Sequence, residues 1–216
     1  MVRRAATATL RMMLVDDHPI VRRGVRDILV DAFPGATVEE VGSGADAVSL
    51  ARANDWDVAI LDLTLPDGSG LDVLKRVREV RPAVPVLILS MHAPEQFARR
   101  AITAGASGYL TKDTADAELV IAVTRLLEGG KYFPPEVMQG IVLSMHPDSP
   151  DPHERLSDRE YQVLRMIGQG KTVSEIASVL TLSVKTVSTY RTRILEKMGM
   201  RTNAELTRYA VEHGLE

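Results

Sequence analysis

The stretch DVAILDL, residues 57–63, holds Val58, Ala59, Ile60 and Leu61 in an unbroken apolar run that ends on Asp62. A strand with one solvated face alternates apolar and polar residues, so a run that is apolar throughout reads as a central strand covered on both sides. A second run of this kind, VPVLILS at 84–90, lies downstream. Working outward, MMLVD at 12–16, ATVEEV at 36–41 and SGYLT at 107–111 complete a set of five. Helical-period segments separate them, and strand–helix alternation predicts a parallel sheet with crossover helices. The expected fold class over residues 12–128 is therefore α/β, doubly wound and five-stranded.

The rest of the chain reads differently. Glycines and a Pro-Pro pair bracket a short helical segment after Glu128, and HPDSPDP follows. Residues 129–154 read as a linker with a short helix. Residues 155–216 are helical in pattern throughout and predict an all-α four-helix domain. Ser157 and Glu160, and then Thr172 and Glu175, have the spacing of capping boxes, each before an apolar stripe, while Gly170 and Gly199 mark helix ends. Residues 1–11 read as a short tail, because they lack the long apolar core of a secretory signal.

Composition narrows the function classes. Hydrophobic residues make up 45% and charged residues 25% of the 216, enough for two ordinary cores. No cysteine is present, which excludes disulfides and thiolate metal sites and fits a reducing cytoplasm. Apolar runs fall far short of the roughly 18 residues that a bilayer span needs, so no membrane partner is expected. The net charge of −3 hides an asymmetry: residues 1–154 carry 16 Lys/Arg against 22 Asp/Glu, and residues 155–216 carry 10 against 7. A mildly basic C-terminal part fits nucleic acid only if a motif joins it.

In an open parallel sheet, chemistry is sought at the carboxyl ends of the strands. Asp16 and Asp17 end the first strand, Asp62 the third and Ser90 the fourth, and Lys112 follows the fifth. An aspartate after a strand is often only a cap or turn residue. Three converging carboxylates are another matter, because their repulsion in a partly dry site calls for a cation. Oxygen ligands favour Mg²⁺. His18 follows the acidic pair, but a His-Pro step at a helix start usually serves structure or faces solvent.

At these residues the chain resembles the receiver domains of two-component response regulators, over roughly residues 12–128. The resemblance implies a flavodoxin-like fold with Asp62 as phosphoacceptor, taking a phosphoryl group from a sensor histidine kinase or a small phosphodonor. It also implies Mg²⁺ held by Asp17, Asp62 and the Thr64 backbone carbonyl, with Asp16 acting through water. Phosphoryl transfer needs positioning and charge neutralisation more than covalent help, and Lys112 would add charge. Ser90 matches the switch hydroxyl and Tyr109 the aromatic that turns inward behind it, three residues before Lys112. Thr64 and His92 match positions that tune phosphoryl lifetime. Many receivers have proline after the lysine, where this chain has Asp113, a candidate cap for the next helix.

In the C-terminal part, Ser174 to Leu180, the turn Thr181, Leu182, Ser183, and Val184 to Met198 have the layout of a helix-turn-helix. The exposed face carries Lys185, Ser188, Thr189, Thr192 and Arg193, which spacing alone reads equally well as a solvated surface. The wording LSDRE, EIASVLTLSVKTVSTYR and LEKMGM is similar to the DNA-binding domain shared by the LuxR, FixJ and NarL families. That resemblance implies a helix in the major groove of double-stranded promoter DNA, with Ser188, Thr189 and Thr192 towards base edges and Lys185, Arg191 and Arg193 on phosphates. It implies pairing through the last helix, at Asn203, Leu206, Tyr209 and Ala210, in a homodimer formed on phosphorylation or DNA binding. RNA polymerase is a further partner open to such a protein.

The resulting expectation is a cytoplasmic bacterial transcription regulator, not an enzyme beyond its own phosphotransfer and dephosphorylation. In its resting state the receiver covers the recognition helix or the dimer surface, and movement of Ser90 and Tyr109 releases it. A phosphatase of the haloacid dehalogenase type also uses an aspartyl nucleophile with Mg²⁺, but it needs a second aspartate where Thr64 stands. A LuxR regulator that senses a small ligand would need a closed apolar pocket, which the acidic cluster opposes.

Overall fold

The computed structural model describes residues 9–91, 94–135 and 152–215. The chain divides into two compact units, Met1–Met145 and His146–Glu216. Most of the expected 129–154 linker lies outside the described residues, as does His92.

The first unit alternates as the sequence predicts. Its elements are β1 (Arg11–Val15), α1 (Pro19–Ala32), β2 (Thr37–Val41), α2 (Gly44–Ala53), β3 (Val58–Leu61), a small hairpin of β4 (Thr64–Leu65) and β5 (Gly68–Ser69), α3 (Gly70–Val80), β6 (Val86–Ser90), α4 (Pro94–Thr103), β7 (Gly108–Thr111) and α5 (Ala115–Leu127). Five strands form one parallel sheet in the order β2-β1-β3-β6-β7. The order reverses direction next to β1, which creates the crevice where open α/β sheets bind ligands.

Burial explains the apolar runs. Every residue of β3 and β6 is buried. Alternate side chains, Met12, Leu14, Val58, Ile60, Leu87, Leu89 and Leu110, join Val25 and Leu29 of α1 and Leu119, Val123 and Leu126 of α5 in one core cluster. Those between them, such as Met13, Ala59, Leu61 and Ile88, are buried as well, as a sheet with helices on both faces requires. The hairpin β4–β5 was not expected from the pattern.

The second unit opens with a 3₁₀ turn (Pro152–Arg155), followed by α6 (Asp158–Gly168), α7 (Val173–Val179), α8 (Val184–Met198) and α9 (Asn203–Glu212). The two expected capping boxes are present, and a third joins Thr202 to Glu205. The first helix of the pair starts one residue before the expected Ser174, because Thr172 at the cap lets Val173 enter the helix. In the turn between α7 and α8, Thr181 has φ of 53°, a left-handed conformation costly for a β-branched residue. Leu164, Ile167, Ile176, Val187, Ile194 and Leu206 fill the core.

Candidate functional site

Register builds the pocket. Val15 pairs with Leu61, so Asp16 and Asp62 leave adjacent strands side by side, and the Asp62 N–H donates to the Val15 carbonyl at 2.9 Å. Ser90 pairs with Thr111, and the Lys112 N–H donates to the Ser90 carbonyl at 2.8 Å. Thus the first, third, fourth and fifth strands of the sequence pattern deliver Asp16, Asp17, Asp62, Ser90 and Lys112 to one end of the sheet.

Asp16 and Asp62 are each only 2% exposed. Lys112 Nζ lies 2.7 Å from Asp62 Oδ2 in a hydrogen-bonded ion pair and 2.7 Å from Asp16 Oδ2. The Thr64 N–H donates to Asp62 Oδ1 at 3.1 Å, which restrains the carboxylate from the β3–β4 turn. Burial pushes the Asp62 carboxyl above its ordinary range, against the opposing pull of Lys112 and Thr64. Burial alone would lower the Lys112 ammonium, but Asp62 and Asp16 outweigh it and hold it above its usual value. Lys112 is therefore a fixed positive charge at neutral pH.

Asp16 Oδ2 has the Lys112 ammonium as its ion-pair partner, and Asp17 Oδ1 faces His18 Nδ1 at 2.7 Å. Ligand atoms of Asp16, Asp17, His18 and Asp62 lie within 4.8 Å of one another. Three carboxylates beside one lysine repel one another, and a hard divalent cation would offset the remaining negative charge. The acidic pocket fits such an ion.

Tyr109 is fully buried and Ser90 likewise. The Tyr109 N–H donates to the Tyr132 carbonyl at 2.8 Å, which ties β7 to the segment after α5. Asp113 does not cap the next helix: Thr114 occupies that position, and a hydrogen bond with the Thr111 side chain holds the exposed Asp113 carboxyl low.

Three residues that the sequence reading passed over support the pocket. A Cβ at Gly70 would lie 2.1 Å from the Asp62 carbonyl oxygen and 2.6 Å from Leu63 Cα, so only glycine lets α3 start against the backbone of Asp62 and Leu63. The Asp67 carboxylate accepts from the Gly44 and Ala45 N–H groups at 2.8 Å each, fastening the hairpin to the start of α2. Arg22 donates to the Asp16 carbonyl at 2.6 Å and pairs with Glu40. The glycine-rich PDGSG after Asp62 carried a signal for the first two; nothing in the sequence pattern pointed to Arg22.

In the second unit, Lys185, Thr189, Thr192 and Arg193 are exposed on α8, and Ser188 and Arg191 are half-buried on it. The Thr189 and Thr192 hydroxyls donate back to the Lys185 and Ser188 carbonyls at 3.0 and 3.1 Å. Arg191 Nε donates to Asn203 Oδ1, joining α8 to α9. On α9, Leu206, Tyr209 and Ala210 face the unit's own core and are buried, while Asn203, Arg208 and Val211 face outward. Leu206, Tyr209 and Ala210 therefore offer no outward pairing surface; the choice followed helix position without its rotation.

Comparison with known proteins agrees with this architecture. The family model described as the response regulator receiver domain matches residues 12–124, and that of bacterial regulatory proteins of the luxR family matches residues 154–210. The response regulator UvrY of Escherichia coli K12 is 36% identical over 208 residues, 95% of this chain and 95% of that protein. The response regulator GacA of Pseudomonas aeruginosa is 35% identical over 208 residues, 95% and 97% of the two chains. Among solved structures, RcsB of Salmonella enterica serovar Typhimurium, bound to promoter P1flhDC with the phosphomimetic BeF₃⁻, is similar at a TM-score of 0.58 and 27% identity, covering 94% of this chain and 98% of that one. A receiver family match also removes the dehalogenase and ligand-sensing alternatives. The chain belongs to the two-component response regulators of the NarL/FixJ type, in which a receiver domain controls a LuxR-type helix-turn-helix and phosphorylation governs transcription through DNA binding.

Proposed function

We propose that Asp62 accepts the phosphoryl group and that Mg²⁺ is the resident ion, held by Asp17, Asp62 and the Thr64 carbonyl, with Asp16 reached through water. The observation that carries this reading is a buried Asp62, aligned by Thr64 and Lys112, that stands with Asp16 and Asp17 so that three carboxylates share one lysine. When bound there, Mg²⁺ would supply positive charge to offset that of the phosphoryl oxygens. The protein's own part is positioning: the Thr64 N–H orients Asp62, and the Lys112 ammonium offers its positive charge to the incoming group. The phosphorus–nitrogen bond of a kinase phosphohistidine breaks as the bond to an Asp62 oxygen forms, and the leaving imidazole takes up a proton.

Ser90 then hydrogen-bonds the phosphoryl group and Tyr109 packs behind it, which changes the receiver surface and frees the reader domain to dimerise. Promoter DNA is the target, with α8 in the major groove: Lys185, Arg191 and Arg193 on phosphates, Ser188, Thr189 and Thr192 on base edges. Pairing uses the outward face of α9, where Asn203 and its neighbours Arg208 and Val211 are available. The donor is a sensor histidine kinase and the compartment the bacterial cytoplasm, consistent with the absence of cysteine and of any described helix long and apolar enough to cross a membrane. RNA polymerase is the downstream partner of this reading.

The test is the mass of wild-type and Asp62→Ala protein after incubation with Mg²⁺ and acetyl phosphate. One added phosphoryl group on wild type alone is expected. An equal gain on the variant would move the acceptor elsewhere, and no gain with a kinase also supplied would overturn the reading.

A further inference from the structure

The loop that carries Asp62 and Thr64 is held from a neighbouring helix. After Asp62 the chain turns through the β4–β5 hairpin, in which Thr64 pairs with Ser69 and Leu65 with Gly68. Strands this short do not keep a hairpin in shape by themselves. Its tip reaches α2. Asp67 Oδ1 accepts from the Gly44 N–H and Asp67 Oδ2 from the Ala45 N–H, each at 2.8 Å. Two charge-assisted bonds at the positive end of a helix make a strong and directional joint.

The joint is built from both sides. Ser43 Oγ accepts from the Asp46 N–H at 3.1 Å, while the N–H groups of Gly44 and Ala45, orphans in an isolated helix, go to Asp67. Gly44 is also where α3 closes in, since a Cβ there would lie 2.5 Å from Val73 Cγ2 and 3.3 Å from Asp67 Oδ1. At the base of the hairpin the Thr64 N–H donates to Asp62 Oδ1 at 3.1 Å, and the Gly70 N–H to the Leu63 carbonyl at 2.8 Å. A hydrogen-bonded path thus leads from the start of α2 through Asp67, the hairpin and Thr64 to Asp62.

We propose that Asp67 is a positioning residue for phosphoryl transfer: it latches the hairpin to α2, which fixes Thr64 and, through the Thr64 N–H, the orientation of the Asp62 carboxylate. The inference rests on the reading of Asp62 as phosphoacceptor. Asp67 touches neither the donor nor Asp62. It sets how well the carboxylate is aimed, so its loss lowers the rate of transfer and leaves donor binding alone.

The experiment follows phosphorylation by mass against acetyl phosphate concentration with Mg²⁺ in excess, and amide hydrogen exchange by nuclear magnetic resonance, both on the full chain. Asp67→Ala should lower the maximal rate by about tenfold and leave the half-saturating donor concentration within about twofold. It should release protection at Gly44, Ala45 and Thr64 but not at Lys112, whose N–H donates to the Ser90 carbonyl at the far edge of the sheet. Asp67→Asn keeps one acceptor oxygen and should recover part of the rate. Ser43→Ala removes the helix's own cap without touching the hairpin, and should phosphorylate as wild type does. An unchanged rate in Asp67→Ala, or an equal loss in Ser43→Ala, would reduce Asp67 to a helix cap. Faster exchange at Lys112 as well would assign the slower rate to general unfolding and overturn the proposal. If wild type itself takes up no phosphoryl group, the reading of Asp62 falls and the inference with it, whereas a phosphorylated wild type beside an unimpaired Asp67→Ala overturns the inference alone.

Discussion

At the residue scale, Asp62 is positioned as much by what is missing as by what is present. Gly70 has no Cβ, and one placed there would drive into the Asp62 carbonyl and Leu63 Cα. Relief requires backbone movement at the acceptor, so Gly70→Ala should destabilise the receiver by about 1–3 kcal/mol and slow phosphorylation on the order of a hundredfold through misplacement. Trp56, the single tryptophan, lies buried in the receiver, so its fluorescence during denaturant unfolding reads that domain; an unchanged phosphorylation rate would sink the argument. The carboxylates bear a second prediction. Because burial raises the Asp62 carboxyl above its unfolded value of 3.8, the ionised group works against folding at neutral pH, and that penalty is relieved as pH falls through the folded value. A divalent cation relieves the same penalty at neutral pH. Mg²⁺ should therefore raise the melting temperature at pH 7.5, with the gain fading as acid protonates the pocket. A gain that is constant with pH would mean the ion acts elsewhere.

At the element scale, legibility followed burial on both faces. The central strands were readable because VAIL and VLIL have no polar position, and the reader helices because serine and threonine caps announce them. The β4–β5 hairpin was not readable, since two residues per strand leave no period to detect. Nor was the rotation of α9: its apolar stripe was visible, yet a stripe on a small domain's last helix serves the core before it serves a partner. Caps carry load as well as information. Glu160 accepts from the Ser157 N–H at 2.8 Å and from Lys197 of α8 at 2.6 Å, so one carboxylate ties the cap of α6 to α8. Burial would raise that carboxyl, but Lys197 and Ser157 outweigh it and hold it below its ordinary 4.5. A depressed carboxyl contributes stability above its unfolded value and loses it as pH falls through the folded one. Glu160→Gln keeps an oxygen for the capping box and loses the charge, so it should cost about 1 kcal/mol at pH 7. That difference should close below pH 4.5 in chemical unfolding followed by circular dichroism. A difference that persists unchanged in acid would assign it to packing.

At the scale of the whole molecule, charge is divided between the two jobs. The acidic excess belongs to residues 1–154, which hold the acidic pocket, and the basic excess to residues 155–216, which hold the helix-turn-helix. The constellation of pocket residues was legible because it needs only strand ends, and each strand end is fixed by the run before it. The identity of the DNA bases was not, because a helix face carrying hydroxyls specifies neither a base nor a phosphate by itself. On α8 the hydroxyls of Thr189 and Thr192 already donate to helix carbonyls, which leaves their methyl groups and oxygen lone pairs to meet the groove. Under the proposed assignment, such groups would read thymine methyls and base amino groups, while the neighbouring cations would meet phosphates. The two kinds of contact separate in salt. Each phosphate contact adds about −0.9 to the slope of log affinity against log salt. Arg193→Ala should therefore flatten the slope of a DNA-bound dimer by about two and weaken all sequences alike. Thr189→Ala should leave the slope in place and change which sequences are preferred. The measurement is fluorescence anisotropy of the phosphorylated full chain on selected and scrambled duplexes from low to high salt. If Thr189→Ala flattened the slope, or Arg193→Ala altered sequence preference alone, the assignment of base and phosphate contacts along α8 would have to be exchanged.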